Sequence, residues 1–155
     1  MGRFPTIEDP ALLEEGDVLA PRFDAQGLLP AIVTDAKSGE VLMFAFMNDE
    51  ALALTIETGA AHFWSRSRNS LWRKGETSGN ELRVVDLRID CDQDVVWLKA
   101  EMTGAEACCH TGRLSCFYRR IPFGPAAGDK LTQVHTERHF DPADVYGSTA
   151  PEKKR

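Results

Sequence analysis

Residues 108–118 hold three of the four cysteines and one of the four histidines of the chain. A free cysteine is easily oxidised and binds metals, so its reactivity usually decides whether it is kept. The spacing of Cys109 and Cys116 is not the short C-x2–4-C spacing of a structural zinc finger. Together with Cys91 they can fill three corners of a tetrahedral zinc site and leave the fourth open to water, which is the catalytic pattern. The alternative is that each cysteine is a small buried apolar residue.

Three carboxylates lie close together between Asp90 and Asp94. They repel one another unless a cation lies among them, and oxygen ligands suit Mg²⁺ or Ca²⁺. The alternative is a solvated acidic hairpin turn, in which aspartate is common. Alternate residues of an extended strand share a face, so Cys91 would point away from Asp90 and Asp92. We therefore predict that Cys91 lies on an apolar interface and completes the thiolate site of a second subunit.

A basic segment, residues 65–80, stands out in an otherwise acidic protein. The cations Arg66, Arg68, Arg73 and Lys74 lie close together in it, among Ser, Thr, Gly and Asn. Backbone amides, hydroxyls and cationic side chains are the groups that bind phosphate, although the P-loop motif is absent. We predict a long functional loop without regular structure, and the alternative is a solvated surface loop.

The elements that position these groups are predicted from the apolar pattern. Two short apolar runs, 29–34 and 41–46, enclose a glycine-containing turn and predict a β-hairpin. One main helix is predicted at about 48–58, with Leu52 and Ile56 as its apolar stripe. Only a short helical turn is expected before the hairpin.

The rest of the chain predicts short strands. Residues 82–91 alternate, which places one apolar set on a single face: Val85, Leu87, Ile89 and Cys91. Further strands are predicted at 61–65, 95–102 and 115–121. The fold class is therefore α+β, mostly β, with antiparallel sheets and one main helix. We divide the chain into an N-terminal arm (1–27), a catalytic domain (28–121) and a C-terminal extension (122–155), the last disordered from residue 148.

Bulk properties exclude several classes of protein. The chain has 155 residues and a net charge of −6, so generic binding to nucleic acid or to anionic membranes is not indicated. We find no apolar run long enough to span a membrane and no signal peptide. The expected location is the cytoplasm, where cysteines stay reduced.

Four blocks of the sequence, in this order, closely resemble the phosphoribosyl-AMP cyclohydrolase family. They are Trp-Ser-Arg-Ser-Arg at 64–68, Leu-Trp-Arg-Lys-Gly-Glu-Thr-Ser-Gly-Asn at 71–80, Asp-Cys-Asp-Gln-Asp at 90–94, and Cys-His-Thr-Gly-Arg-Leu-Ser-Cys-Phe-Tyr at 109–118. The resemblance covers roughly residues 28–120. It implies hydrolytic opening of the N1–C6 bond of 1-(5-phosphoribosyl)-AMP in histidine biosynthesis, by a zinc enzyme that also binds Mg²⁺. It further implies an intertwined homodimer with active sites shared between subunits.

Residue roles carry over by position. The resemblance implies zinc ligands Cys91, Cys109 and Cys116, with Cys91 from the partner chain, and magnesium ligands Asp90, Asp92 and Asp94. Cys108, His135 and His139 receive no role. The provisional phosphate and substrate contacts are Ser65, Arg66, Ser67, Arg68, Trp72, Arg73, Lys74, Gly75, Ser78, Gly79, Asn80 and Arg113.

The resulting hypothesis is that zinc-bound hydroxide attacks C6 and that His110 is the acid and base. The extension is too short for the pyrophosphohydrolase domain often fused to this activity, so a monofunctional enzyme is expected. A zinc deaminase is not indicated, because the P-C-x-x-C string that must accompany H-x-E is absent. The non-enzymatic alternative is a zinc-stapled nucleotide- or RNA-binding module without catalysis.

Overall fold

The computed structural model describes residues 2–147. In chain order the elements are helix α1 (Pro10–Glu15), strands β1 (Leu29–Asp35) and β2 (Val41–Met47), helix α2 (Asp49–Thr58), strands β3 (His62–Ser65), β4 (Ser70–Arg73), β5 (Leu82–Ile89), β6 (Val96–Met102) and β7 (Arg119–Arg120), a 3-10 turn (Gly124–Ala126), strand β8 (Thr132–Gln133) and helix α3 (Pro142–Tyr146). Six strands form one sheet in the order β4-β3-β2-β1-β6-β5, and β7 pairs with β8. Among these helices, none has the length and apolar character needed to cross a membrane.

The central strand β1 is where the fold departs from the predicted antiparallel arrangement. Ile32 pairs with Phe44 of β2 in antiparallel register, as the predicted hairpin requires, but with Trp97 of β6 in parallel register. The sheet is therefore mixed. Parallel neighbours need a long crossover, and the chain supplies one because it passes through α2, β3, β4 and β5 before it returns as β6. The mostly-β α+β class is confirmed.

Helix α2 begins and ends where its capping residues predict. The Asn48 side chain accepts a hydrogen bond from the Ala51 amide, and Gly59 adopts the left-handed conformation at the C-terminus. The predicted apolar stripe is only half correct. Leu52 is buried, but Ile56 is 47 % exposed, and Thr55 is buried in its place. The Thr55 hydroxyl compensates for its polarity by donating to the Ala51 carbonyl at 2.8 Å.

Strand β5 keeps the predicted alternation only in part: Leu87 and Ile89 pack against the core as predicted, but Val85 does not. Its pairing with β6 shifts between Val84 and Asp86, and a β-bulge of this kind re-aims the side chains that follow it. Val84 packs against the core, whereas Val85 is 48 % exposed. The strand ends at Ile89, so Cys91 lies in a turn. The extended strand on which the predicted opposition between Cys91 and the aspartates rested therefore stops short of Cys91, and the opposition itself stays a prediction.

The sheet curls so that its edge strand β5 meets the residues that lead into β3, the second strand from the opposite edge. Ala60 forms a bridge with Arg83, and the Ala61 amide donates to the Leu82 carbonyl at 3.1 Å. The start of β3 therefore meets the start of β5. From Leu82 to Ile89, β5 runs away from this contact for roughly 23 Å at the usual rise of a strand.

The predicted strand at 115–121 shrinks to the two residues of β7. Ahead of β7, the Phe117 amide donates to the Ser115 hydroxyl at 2.9 Å, a local bond that competes with strand pairing, and the Cys116 amide donates to the Leu42 carbonyl at 2.8 Å. The extension then returns as β8 and α3, so it is partly ordered as predicted. The expected disorder from residue 148 lies outside the described residues.

Burial predicts which side of α2 stabilises the fold. Leu52→Ala should lower the free energy of unfolding by about 2–5 kcal/mol, because it leaves a cavity in the core. The neighbouring exposed change Glu57→Ala should alter it by less than about 0.5 kcal/mol. Urea unfolding followed by circular dichroism measures both. Equal effects would contradict the packing of α2 on the sheet.

Candidate active site

A cavity of about 680 Å³ opens where β2, β3 and β4 face the cysteine-rich segment. Its lining combines thiols, an imidazole, cations and aromatic rings. The residues that line it include Phe46, Trp64, Ser65, Arg66, Arg68, Trp72, Arg73, Lys74, Gly75, Ser78, Cys108, Cys109, His110, Thr111, Cys116, Tyr118 and Tyr146. The structure thus brings Cys109, His110 and Cys116 together with most of the predicted phosphate-binding residues.

A tight turn presents Cys109 and His110 to the cavity. The Cys109 amide donates to the Arg113 carbonyl and the Gly112 amide donates to the Cys109 carbonyl, both at 3.0 Å. Gly112 has a φ of +86°, which glycine adopts without strain. The Thr111 hydroxyl donates to the Cys109 sulfur at 3.1 Å. The backbone of the turn and the Thr111 hydroxyl together hold the Cys109 sulfur in position.

Cys116 reaches the same place through a buried serine. The Ser115 side chain is fully buried, and its hydroxyl donates to the Val41 carbonyl of β2 at 2.6 Å. The Cys116 amide bonds to the next β2 carbonyl, that of Leu42. Two adjacent hydrogen bonds to one strand hold Cys116 opposite the Cys109 turn.

The neighbouring thiols shift one another's pKa values in a way that favours a thiolate at Cys109. Hydrogen bonding from Cys116, helped by His110 and Thr111, lowers the pKa of the Cys109 thiol to about 3, although burial opposes the shift. A hydrogen bond from Cys116 also lowers the pKa of Cys108. Interaction with both neighbouring thiols raises the pKa of Cys116. A thiolate is the form in which cysteine binds a metal ion.

The basic segment was predicted to lack regular structure, but part of it forms a strand. Ser70–Arg73 forms β4, which pairs with β3 so that Phe63 lies opposite Trp72. These two rings pack with centroids 5.0 Å apart, so Trp72 belongs to the core as well as to the cavity wall. A buried ring with this much contact area gives the segment a fixed position.

The hairpin between β3 and β4 carries two of the cations. The Ser65 hydroxyl accepts from the Arg68 amide and from its side-chain Nε, each at 3.3 Å. The Arg66 guanidinium lies over the Phe46 ring, 4.1 Å from its centroid. These contacts hold two positive charges at the rim of the cavity.

Lys74 links the basic segment to the cysteine turn. Its amide donates to the Ala61 carbonyl at 3.0 Å, and its ammonium donates to the Cys108 carbonyl. Arg73 forms an ion pair with Glu81 at 3.3 Å. Gly75 has a φ of +89°, and a Cβ there would lie 2.6 Å from the Glu81 amide nitrogen. The chain therefore turns back sharply after Lys74.

Four predicted substrate contacts do not line the cavity: Ser67, Gly79, Asn80 and Arg113. Asn80 is buried, and its side chain accepts from the Ala105 amide at 2.8 Å, which is a structural role. Arg113 is also buried, with its guanidinium 4.3 Å from the centroid of the Tyr118 ring. Its Nε is the one buried side-chain nitrogen or oxygen within residues 2–147 that has no hydrogen-bond partner.

The acidic turn forms at the far end of β5. Oxygen atoms of Asp90, Asp92 and Asp94 lie within 4.8 Å of one another, and this is the one such group of three potential metal ligands in the described part of the chain. The Asp90 side chain accepts from the Asp94 and Val95 amides at 2.9 and 3.0 Å.

These contacts shift the pKa values of two carboxyl groups in the acidic turn. Burial opposes ionisation of Asp90, but the amide hydrogen bonds from Val95 and Asp94 hold its pKa below the usual value. Burial and the neighbouring Asp90 charge raise the pKa of Asp94. A cation among the three would relieve that repulsion.

The two predicted metal sites are separate within one chain. Cys91 lies in the exposed acidic turn, whereas Cys109 faces the cavity. Lys74 and Leu82 are both bonded to Ala61, and β5 carries the chain roughly 23 Å beyond Leu82 before Cys91 is reached. The structure therefore does not bring Cys91 to the other two predicted zinc ligands of its own chain.

Sequence reasoning missed Gln93, which organises the acidic turn. Gln93 is buried with a φ of +58°. Its side chain accepts from the Ala20 amide at 2.8 Å and donates to the Leu13 and Val18 carbonyls at 3.1 and 3.2 Å. The Arg22 amide donates to the Gln93 carbonyl at 2.7 Å. The N-terminal arm is therefore tied to the turn. A glutamine between aspartates gave no signal, because these partners are remote in sequence.

The comparisons with known proteins identify the family of this site. A family model described as phosphoribosyl-AMP cyclohydrolase matches residues 43–118, and the chain belongs to that family. The resemblance found in the motifs is thereby confirmed.

Its relatives are named as cyclohydrolases, which are enzymes. It is similar to the phosphoribosyl-AMP cyclohydrolase of Sinorhizobium fredii, with 58 % identity over 140 residues that cover 90 % of this chain and 91 % of the relative. The protein of that name from Rhodopseudomonas palustris is 58 % identical over 87 % of this chain and 89 % of its own. The one from Agrobacterium fabrum is 54 % identical over 94 % and 97 %.

The contacts of Gln93 predict that it stabilises the acidic turn and the arm together. Gln93→Ala should lower the free energy of unfolding by about 2–4 kcal/mol, because it removes several hydrogen bonds and leaves buried backbone groups unpaired. It should also speed hydrogen exchange at the Ala20 amide. Gln26→Ala, an exposed change in the same arm, is the matched control and should alter neither. Urea unfolding and exchange measured by mass spectrometry test this; unchanged exchange at Ala20 would contradict the role.

Proposed function

We propose that the chain is a phosphoribosyl-AMP cyclohydrolase that opens the purine ring of 1-(5-phosphoribosyl)-AMP in cytoplasmic L-histidine biosynthesis. The observation that carries the proposal is one cavity in which Cys109, His110 and Cys116 meet the basic segment. Its volume of about 680 Å³ suits a nucleotide-sized ligand. Family membership supplies the substrate: relatives covered over most of their length carry this name.

The reaction adds water across the N1–C6 bond. A C6–O bond forms and the N1–C6 bond breaks; one proton of the water ends on N1 and the other on the exocyclic nitrogen of C6, which becomes the carboxamide. Alkylation at N1 leaves the ring poor in electrons, so C6 is electrophilic. The protein must therefore provide an activated water, a group that moves the proton, and positive charge for the two phosphates.

The thiols fit a zinc ion. Cys109 favours the thiolate form that zinc requires, and its sulfur is held by the Thr111 hydroxyl. Cys116 lies beside it, and three sulfur ligands leave a fourth coordination position open. We assign the third sulfur to Cys91. When bound, zinc supplies a water of lowered pKa.

The acidic turn fits a magnesium ion. Its three carboxylates provide hard oxygen ligands within 4.8 Å of one another. We assign Asp90, Asp92 and Asp94 as these ligands. Because Cys91 lies in the same turn, the magnesium ligands accompany the third sulfur wherever the turn docks, and a cation held there would offset the charge of a substrate phosphate.

His110 is assigned as the acid and base. It lines the cavity next to Cys109, where an imidazole can accept a proton from water and return it to N1. The cations Arg66, Arg68 and Lys74 face the same space and are assigned to the phosphates. Trp64 and Trp72 provide flat surfaces for the base and the ribose.

Two chains complete each site in this proposal. Cys91 is remote from Cys109 and Cys116 in its own chain, so the turn that carries it serves a second copy. Exposed apolar side chains flank both halves: Phe117 is 55 % exposed beside Cys116, and Val85 is 48 % exposed on β5. Pairing of these surfaces in a homodimer would bury apolar area and join the halves.

A ring-opening assay tests the function directly. The zinc-loaded protein should convert phosphoribosyl-AMP to the formimino-aminoimidazole carboxamide ribotide, followed by the change in ultraviolet absorbance. Chelation should abolish turnover, and added Zn²⁺ should restore it. Zinc binding without turnover would contradict an enzymatic role.

Sharing of the site predicts complementation between inactive variants. Cys91→Ser and Cys109→Ser should each lower kcat/KM by at least about 100-fold, since even supporting residues of metal sites cost 10–100-fold. Unfolding and refolding the two together should restore about a quarter of wild-type activity, because half the dimers are mixed and each mixed dimer has one intact site.

The matched control mixes Cys109→Ser with Cys116→Ser. Both changes lie in the same half of the site, so this mixture should stay inactive. If Cys91→Ser and Cys109→Ser also fail to complement, the shared site is wrong.

The assignment of His110 predicts a loss in kcat rather than in metal content. His110→Ala should lower kcat by about 10²–10⁴-fold, the usual contribution of a positioned acid or base. Zinc content, measured by mass spectrometry, should equal that of the wild type. A variant that keeps near-wild-type kcat would exclude the acid and base role.

A further inference from the structure

We propose that the C-terminal segment 119–147 is part of the substrate site: it braces the Cys109–Arg113 turn and places Tyr146 against the bound nucleotide. This inference deepens the proposed function and rests on it. No substrate role follows for this segment from the sequence, which has little periodicity there and only scattered aromatic residues.

The segment is first attached to Tyr118 and to the turn between β1 and β2. β7 pairs with β8, so Arg119 lies opposite Gln133, and the Val134 amide donates to the Tyr118 carbonyl at 2.9 Å. His135 then pairs through its ring with the Glu40 carboxylate in the β1–β2 turn. These contacts turn the chain back toward the cysteine-rich segment.

The next attachment is to the cysteine turn itself. The His139 amide donates to the Gly112 carbonyl at 2.7 Å. A Cβ at Gly112 would lie 2.3 Å from the Phe140 carbonyl oxygen and 3.6 Å from the Arg138 side chain. The two backbones therefore approach as closely as a glycine permits. The turn that carries Cys109 and His110 is covered on its outer side by this segment.

Helix α3 then brings an aromatic ring to the cavity. The Asp141 side chain caps the helix through the Ala143 amide at 2.9 Å. Tyr146, in the last helical position, lines the same cavity as Cys109 and His110. Its ring also packs against Phe140, with centroids 6.3 Å apart, so the residue beside Gly112 supports the ring in the cavity.

A tyrosine in this position suits a planar, partly polar ligand. Trp64 and Tyr118 line the same cavity, and aromatic rings stack on a nucleobase whatever its substituents. Tyr146 therefore contributes to ground-state binding of the nucleotide. The bond-breaking chemistry belongs to the cysteines and to His110. Tyr146 is a binding residue, so its replacement should raise KM.

Three variants of Tyr146 separate the ring from the hydroxyl. Tyr146→Ala and Tyr146→Leu, which both lack a flat ring, should raise KM for phosphoribosyl-AMP about tenfold, in keeping with the usual effect of a stacked ring. Tyr146→Phe should stay within about threefold of wild type. In all three, kcat should change less than KM. Asp144→Ala, an exposed change in the same helix, is the control and should leave both constants unchanged.

A second measurement does not depend on turnover. Hydrogen exchange in the peptide 134–147 of the zinc-loaded protein should slow several-fold when AMP is added, and the protection should be lost in Tyr146→Ala. Titration calorimetry with AMP should give the same order of affinities: wild type and Tyr146→Phe tight, Tyr146→Ala and Tyr146→Leu weak.

The outcomes distinguish this inference from the proposed function. If the wild type turns over the substrate and Tyr146→Ala and Tyr146→Leu keep its KM, the inference is wrong and the function stands. If the wild type shows no turnover, the function is wrong, and the AMP measurements decide the inference. The inference is supported if AMP slows hydrogen exchange in the wild type and Tyr146→Ala binds AMP weakly. Unaltered exchange or equal AMP affinities overturn it.

Discussion

The site depends on how the cysteine-rich segment is fastened to strand β2. The buried Ser115 hydroxyl and the Cys116 amide bond to two successive β2 carbonyls. Because a buried polar group left unpaired is costly, this attachment has one register only. It places Cys116 opposite the Cys109 turn, where the two thiols shift each other's pKa. It also fixes where β7 starts, and hence the path of the extension back across the turn.

Each terminal segment supports one half of the proposed site. The N-terminal arm is bonded to Gln93 and so holds the acidic turn. The C-terminal extension is bonded to Gly112 and so holds the cysteine turn. Metal ligands must keep their positions to within a fraction of an ångström, and outer contacts of this kind are what orient them. The two halves are thus braced independently within one chain.

The length of β5 explains why one chain alone does not form the proposed zinc site. An extended strand cannot fold back within its own length, and the bulge after Val84 bends it without reversing it. The acidic turn therefore projects away from the cavity. In the proposed enzyme, the aspartates and Cys91 assigned as metal ligands meet the cysteine turn only when a second copy docks there, which would couple assembly to activity.

The sequence by itself determined the local elements and the chemical groups of the site. The cap at Asn48 and Gly59 fixed α2, the apolar runs fixed the β1–β2 hairpin, and the motifs fixed the family, because these signals act over a few residues. Tertiary structure decided the rest. The parallel pairing of β1 with β6, the burial of Asn80 and Arg113, the contacts of Gln93 and the position of Tyr146 all join residues remote in sequence. No local pattern specifies such contacts, since they arise only when packing brings separate elements together.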